Sequence, residues 1–329
     1  MMMTAGLGTR LRPFTDFAPK PLLPLLGVPM AQFAMDMLVQ AGVKKIVANV
    51  HHLPEQARRG LSLLEKGGAE LLISDESQNL LGSAGGLKQA LPLLDSKPFF
   101  LINADVLADV NLHALAHRHQ ILRRQWGVHM TMAVLPRPPT SAAYASLALS
   151  AEGLITGWNP PASKSGALYI GAAIVESEAL ERVPKGEPAE FVPTMLKPAI
   201  ESRKAGYFLT NGLWFDVGDP TAWLNAHLSL IQALETGRLS ALWRRRIEET
   251  STRVGSVFWA RRGSNLRGSC ELAGPGFWDA RGIRSRDLAG ISFGTNAVAY
   301  GKIESGDFSN AISFGGQAVK VPASNSYRE

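Results

Sequence analysis

Ala5-Gly6-Leu7-Gly8-Thr9-Arg10-Leu11-Arg12-Pro13, continued by Thr15 and by Pro19-Lys20-Pro21-Leu22, is the stretch from which the rest of the chain is read. A short apolar run, Met1 to Met3, leads into it. Gly6 and Gly8 permit backbone angles that other residues avoid, so successive N–H groups can turn towards one anion. Arg10 adds a planar fork of donors and Lys20 a compact point charge, and phosphates use both. Pro13, Pro19 and Pro21 stiffen the segment that carries these cations, which lowers the entropic cost of holding them in place. A lone Gly-x-Gly is most often only a turn with solvated cations beside it. The whole string reads as a cradle for a polyphosphate.

Outward from the cradle, the chain alternates between two periods. Met30, Phe33, Ala34, Met37, Leu38 and Ala41 recur at helical spacing and Gly42 ends the pattern. Met30, Met35 and Met37 read as helix packing. A strand Lys45 to Val50 follows, then a helix from about Pro54 and a strand Glu70 to Ser74. The turn Gly82-Ser83-Ala84-Gly85-Gly86 precedes a helix of roughly Leu87 to Leu94, and Pro98 to Asn103 reads as a buried strand with Asp105 at its carboxyl end. Strands alternating with helices predict a Rossmann-like α/β fold, a mostly parallel sheet with helices on both faces. In such sheets ligands sit at the carboxyl ends of strands, where the cradle, the second glycine turn and Asp105 all fall.

From about Val128 the rhythm changes. Met130 to Leu135 is a strand, Tyr144 to Leu149 and Leu154 to Trp158 make a hairpin, and Ala167 to Val175 is a strand containing Gly171. A helix around Phe191 to Ser202 precedes Leu213 to Pro220, which opens a helix Thr221 to Leu234. Glu235 to Arg253 is expected to be a basic connecting helix. The remainder is rich in Gly, Ser and Asn, with apolar steps at Ile291, Val298, Ile303, Phe308, Ile312 and Val319 at uneven intervals near five or six. The expected domains are 1–235, a connecting helix 236–253, and a small β-rich domain 254–329.

Composition narrows the classes. Hydrophobic residues make 46% of the 329 and charged residues 19%, values of a soluble globular chain. A net charge of +6 suits anionic ligands such as nucleotides and does not by itself imply nucleic acid, which is not an expected partner. Part of the excess is local, in Arg244-Arg245-Arg246 and Arg261-Arg262, and reads as a solvated face. The single cysteine, Cys270, excludes an intrachain disulfide and a Cys-rich metal site, and a reduced thiol makes the cytoplasm the expected compartment. No apolar run approaches a membrane span, and the start lacks a signal peptide's order. His51-His52 lacks a third ligand at suitable spacing and reads as strand-end histidines.

The string from Ala5 through Pro24 resembles the signature of the sugar nucleotidyltransferases (nucleotide-sugar pyrophosphorylases), roughly A-G-x-G-T-R-L-x-P-x-T-x-x-x-P-K-P-L-x-P, with every fixed position present. Within that family the chain looks most like mannose-1-phosphate guanylyltransferases and amino-sugar-1-phosphate uridylyltransferases, with a slight preference for uracil. The resemblance implies that a sugar 1-phosphate oxygen attacks the α-phosphorus of a nucleoside triphosphate and that pyrophosphate leaves. That nucleophile is already anionic, so the protein's task is positioning and charge neutralisation. The resemblance makes Arg10 and Lys20 the catalytic cations and lines the triphosphate with Ala5, Gly6, Leu7, Gly8 and Thr9. Gly82 and Ser83 match the family's L-G-T-A-G turn at the nucleobase and ribose. Asn103 and Gly171 fall on the sugar, and Asp105 and Asp216 become a Mg²⁺ pair. Taken singly, Asp105 has the alternative reading of a strand-end cap and Asp216 that of the carboxylate at the start of a helix; within the matched signature the metal role is preferred. Glu76 to Gln78 read either as base contacts or as a polar loop.

Two departures stand out. Asn103-Ala104-Asp105 replaces the common N-G-D, and Trp158-Asn159-Pro160-Pro161 stands where many members carry Glu-Lys-Pro, with Lys164 the nearest substitute cation. These bear on the sugar half of the site and leave open a non-catalytic nucleotide-sugar-binding homologue as the rival reading. The family often ends in a left-handed parallel β-helix, which Gly274 to Trp278 resembles the opening of, so a degenerate β-helix and a homo-oligomer are expected; an irregular β cap is the alternative. Members also usually carry several residues ahead of the glycine loop, where only Met1 to Thr4 stand here, so an upstream start is an open expectation.

Overall fold

The computed structural model describes residues 1–95, 97–136, 144–159 and 166–253, and beyond these only the short strands named below. The contacts divide the chain into two compact units, Met1–Gly6 with Ala31–Trp214 and Leu7–Met30 with Phe215–Glu329.

The first unit is built on a nine-stranded sheet. Its parallel half comprises β1 (Met2–Met3), β2 (Lys45–Val50), β3 (Glu70–Asp75) and β4 (Phe99–Asn103). The spatial order is β4-β1-β2-β3, with Met2 level with both Ala48 and Ile102. The other half comprises β5 (Met130–Pro136), β6 (Leu147–Leu149), β7 (Ile155–Trp158), β8 (Ala167–Val175) and β9 (Ala205–Leu209). Here β8 runs antiparallel to β4, β5 and β6, while β9 lies parallel to β5. The expected hairpin is present as β6 against β7. β2, fully buried after its first residue, is the near-continuous apolar run that a parallel strand covered on both faces requires. Met132, Val134, Leu101, Val175 and Leu196 belong to the main core cluster of this unit.

The helices of the first unit are α1 (Met30–Gln40), α2 (Pro54–Ser62), α3 (Gly82–Ala90), α4 (Leu112–Trp126) and α5 (Lys197–Glu201). Three differ from the sequence expectation. α3 starts at Gly82, not Leu87, because the Ala189 carbonyl accepts from the N–H groups of Ala84 (2.8 Å) and Gly85 (3.1 Å), donors that a helix's first turn cannot satisfy itself. A side chain at Gly85 would stand 2.7 Å from the Glu187 carbonyl, so small residues permit this docking. α4 is not announced by the sequence pattern, since its buried stripe of Leu112, Leu115, His119 and Leu122 contains a histidine. Its ends are well marked: Asn111 Oδ1 accepts from Ala114 N–H, and Gly127 at φ 62° closes the last turn. The helix expected over Phe191 to Ser202 is a π-type turn, Val192–Leu196, running into α5. Pro193 and Pro198 lack the N–H groups a regular helix needs there.

In the second unit, α6 (Pro220–Glu235) begins with Asp219 as N-cap, its Oδ1 2.8 Å from Ala222 N. α7 (Ala241–Thr250) occupies the middle of the expected connecting helix, beyond Gly237 at φ 72°. Past it, strands Phe258–Arg261, Gly276–Asp279, Ala297–Tyr300 and Ala311–Phe314 pair in parallel, and Ile291–Phe293 pairs in parallel with Gly306–Phe308. Ser251–Arg253 and Gln317–Lys320 close the two edges antiparallel. Cys270, Gly274, Ile303 and Lys164 lie outside the described residues. Among the described residues no helix is long and apolar enough to cross a membrane.

Candidate active site

The second unit carries the cationic segment. Gly8 adopts φ 61°, and a side chain on it would stand 2.8 Å from Thr15 Cγ2 and 3.2 Å from Lys20 Cβ. Gly8 is therefore required twice, by its backbone angle and by the close approach of Lys20. Thr15 Oγ1 donates to the Gly8 carbonyl (2.9 Å), which also accepts from Leu11 N. Lys20 opens a 3₁₀ turn, Lys20–Leu22, and is 7% exposed, whereas Arg10 is exposed. The guanidinium of Arg10 lies over Gly218, where an added Cβ would stand 3.0 Å from Nη2 and 3.2 Å from Cζ. Gly218 follows Asp216 by two residues, so the arginine reaches the turn that carries the predicted metal ligand. The N-cap role weighed for Asp216 falls instead to Asp219.

What holds the segment is aromatic packing. Phe14 and Trp223 meet edge to face at 5.1 Å, both buried, and Trp223 Nε1 donates to the Pro24 carbonyl at 2.9 Å. Trp223 also lies against His227, whose Nδ1–H donates to the Trp223 carbonyl at 2.8 Å. His227 is wholly buried, and burial pulls its pKa down to about 4.

The first unit carries the glycine turn, the sugar-side strands and Asp105. Ala5 is buried and Gly6 exposed at the unit's edge, and Leu7 and Thr9, both exposed, follow in the second unit. Thr4 N donates to Asn49 Oδ1 (2.8 Å) and Thr4 Oγ1 to the Asn49 carbonyl. Asn49 Nδ2 donates to Glu76 Oε1 (2.7 Å), and Glu76 Oε2 accepts from Leu81 N (3.2 Å), the residue before Gly82. Glu76 is 2% exposed and its pKa is raised by burial, a charge-disfavouring effect that the bonds from Asn49 and Leu81 oppose. Of the two readings weighed for Glu76, base contact or loop, the geometry gives a third: a buried brace between the loop's start and the glycine turn.

Asn103 and Gly171 come together in the first unit. Ala172 is level with Ile102, Gly171 takes φ 84° at an irregularity in β8, and a side chain there would stand 3.1 Å from Asn103 Cβ. Ala104 is wholly buried and its N–H donates to the Met3 carbonyl (3.1 Å), so its methyl points into the protein. Asp105 is half-buried beyond the end of β4. Among the described residues no three His, Cys, Asp or Glu form a ready metal cluster. A hard cation that takes one or two carboxylates and completes its shell with phosphate oxygens and water needs none, and Asp105 in the first unit and Asp216 in the second are each a hard oxygen donor of the kind Mg²⁺ takes.

Sequence reasoning missed three residues. Ser83 Oγ donates to Glu190 Oε2 (2.6 Å) and accepts from Phe191 N (2.7 Å), and nothing near Glu190 in sequence signals this. Gly218 shows its role only with Arg10 above it. Asn49 gave a usable signal, a lone amide inside the apolar run of β2.

An α/β fold with a mostly parallel central sheet, and a glycine-containing segment that carries Arg10 and Lys20, are features that suit the handling of phosphorylated ligands. The Nucleotidyl transferase family profile matches residues 1–233, and the chain belongs to that family. It is 32% identical over 219 residues to an N-acetylmuramate alpha-1-phosphate uridylyltransferase of Neisseria meningitidis, covering 66% of this chain and 92% of that protein. It is 29% identical over 244 residues to the mannose-1-phosphate guanylyltransferase catalytic subunit beta of Drosophila pseudoobscura, covering 71% of this chain and 62% of that protein. In fold it resembles the crystal structure of HddC from Yersinia pseudotuberculosis, at TM-score 0.58 and 19% identity over 70% of this chain and 97% of that one. The chain is an enzyme that transfers a nucleotidyl group from a nucleoside triphosphate to a sugar 1-phosphate.

Proposed function

We propose that the nucleotide is UTP and the acceptor an amino-sugar 1-phosphate. The observation that carries this is the near full-length match to uridylyltransferases named for N-acetylmuramate 1-phosphate, which reach 92% and 97% of their own length. The guanylyl relative is matched over a smaller share of itself.

In this reading Arg10 takes the β- and γ-phosphates and neutralises the departing pyrophosphate, and Lys20 takes the α-phosphate. Both act on charge that grows in the transition state, where fixed cations are most effective. The backbone of Ala5, Gly6, Leu7, Gly8 and Thr9 lines the triphosphate. Gly82 and Ser83 approach the base, and Asn103 and Gly171 orient the sugar. No side chain need remove a proton from the nucleophilic phosphate. Mg²⁺, when held by Asp105 and Asp216, would supply electrostatic shielding of the phosphates. The missing Glu-Lys charges leave orientation of the sugar to Asn103, Gly171 and the strands around them. The parallel strand pairs past residue 257 support a degenerate β-helix, with the homo-oligomer and cytoplasmic location expected from the sequence.

Pyrophosphate release from the four common nucleoside triphosphates crossed with sugar 1-phosphates, with Mg²⁺ and with chelator, tests the reading. Mg²⁺-dependent release with UTP and an amino-sugar 1-phosphate is expected. Release with GTP and mannose 1-phosphate instead would overturn the assignment of base and sugar.

A further inference from the structure

The turn Leu81 to Gly86 is gripped by a segment more than a hundred residues away in sequence. Ala189 N donates to the Leu81 carbonyl (2.8 Å), and the Ala189 carbonyl accepts from Ala84 and Gly85. Next to this backbone knot, Glu190 Oε2 accepts from Ser83 Oγ at 2.6 Å while Phe191 N donates to the same hydroxyl at 2.7 Å. The second carboxylate oxygen roofs Gly82: a Cβ there would stand 2.7 Å from Glu190 Oε1 and 2.8 Å from the Ala189 carbonyl. Gly82 is itself at φ 69°. Ser83 thus has both its donor and one acceptor site committed, and its hydroxyl cannot rotate freely.

A hydroxyl with a fixed hydrogen presents one remaining lone pair in one direction. Beside a ligand, such a group discriminates between donors and acceptors on the ligand's edge, whereas a rotating hydroxyl accepts either. The backbone knot holds the turn in place without Glu190. What the carboxylate adds is the orientation of Ser83 and the ceiling over Gly82.

We propose that Glu190 is a positioning residue for nucleobase selection, acting through Ser83 and Gly82. This rests on the reading above that Gly82 and Ser83 meet the base. The assignment makes a specific demand on chemistry. Glu190 needs to accept a hydrogen bond, and it does not need to be charged, so glutamine should replace it and alanine should not.

The experiment is steady-state kinetics of the full chain with UTP and with the best non-cognate triphosphate, for Glu190→Ala, Glu190→Gln and Ser83→Ala. For Glu190→Ala we expect KM for UTP to rise about ten-fold, kcat and KM for the sugar 1-phosphate to stay within about two-fold, and discrimination between the triphosphates to fall about ten-fold. Glu190→Gln should restore most of the discrimination. If Glu190→Gln is as impaired as Glu190→Ala, or if the loss falls on the sugar 1-phosphate, Glu190 acts through its charge or on the other substrate and the proposal is overturned. If Glu190→Ala changes nothing while Ser83→Ala loses discrimination, the positioning role fails and the base-turn reading stands. If Ser83→Ala also leaves triphosphate KM and discrimination untouched, the base-turn reading itself fails. An unchanged melting temperature in each variant separates these outcomes from misfolding.

Discussion

The cationic segment, residues 7–30, and the glycine turn, residues 81–86, are both held in place, by different means. Phe14, Trp223 and the Gly8–Thr15–Lys20 contact fix the first largely through buried carbon. Ala189, Glu190 and Glu76 fix the second through polar groups. The difference follows from what each presents. A segment carrying Arg10 and Lys20 must hold cations in place, and large rigid rings do that without themselves carrying charge. A turn proposed to read the pattern of a base must orient single donors and acceptors, which packing alone does not do. Damage to the first should therefore appear as lost stability or lost rate, and damage to the second as lost discrimination.

The largest effect should come from the packing itself. Trp223→Ala removes the ring that meets Phe14 and the indole that bonds Pro24, and should cost about 3–5 kcal/mol of unfolding free energy in denaturant titration. A loss under about 1 kcal/mol would mean that the cationic segment is anchored elsewhere. Next stands Arg10→Ala. Arg10 is exposed, so stability should hold while kcat falls about a hundred- to a thousand-fold, the range for removing one donor from a charge-stabilising site. Activity within a few-fold of the parent would refute the assigned role.

The buried ring beside Trp223 makes the same unit sensitive to acid. His227 has a folded pKa near 4 against about 6.5 unfolded, because burial disfavours its charge. Between those values the unfolded chain binds the extra proton, so stability is complete above about pH 6.5 and falls as pH drops towards 4. The loss is on the order of 3 kcal/mol at pH 4. His119, lowered by burial as well, adds to the slope with the same sign. His227→Gln should flatten the curve of melting temperature against pH between 4 and 6.5, and an unchanged slope would remove His227 from the account.

How much of this was legible in the sequence follows the same division. β2 and β8 have the predicted limits because their apolar runs are long, and α6 lies within one residue of its predicted limits at each end because Asp219-Pro220 marks its start. The family was legible because the signature that carries it lies within twenty consecutive residues, Ala5 to Pro24. The turn's partners were not, because Ser83 and Glu190 are 107 residues apart and neither local pattern implies the other. α4 was hidden for a local reason: His119 stands on its buried face and bonds Thr131 and Glu176, which makes a polar residue a core residue.

Glu76 gives the smallest of these effects and the finest separation of the two regions. Its carboxylate joins Asn49 to Leu81, and a side chain at Gly86 would stand 2.5 Å from its Oε1, so only glycine leaves it room. Glu76→Ala leaves the Asn49 amide and the Leu81 N–H without their acceptor, at a cost of about 1–3 kcal/mol. Because Asn49 also holds Thr4, the loosening should reach the start of the glycine loop as well as the turn. Triphosphate KM should then rise by several-fold in Glu76→Ala, with discrimination changed less than in Glu190→Ala, since Ser83 keeps its partner. Equal loss of discrimination in the two variants would mean that the turn moves as one rigid piece, and that its selectivity comes from its placement and not from the direction of a single hydroxyl.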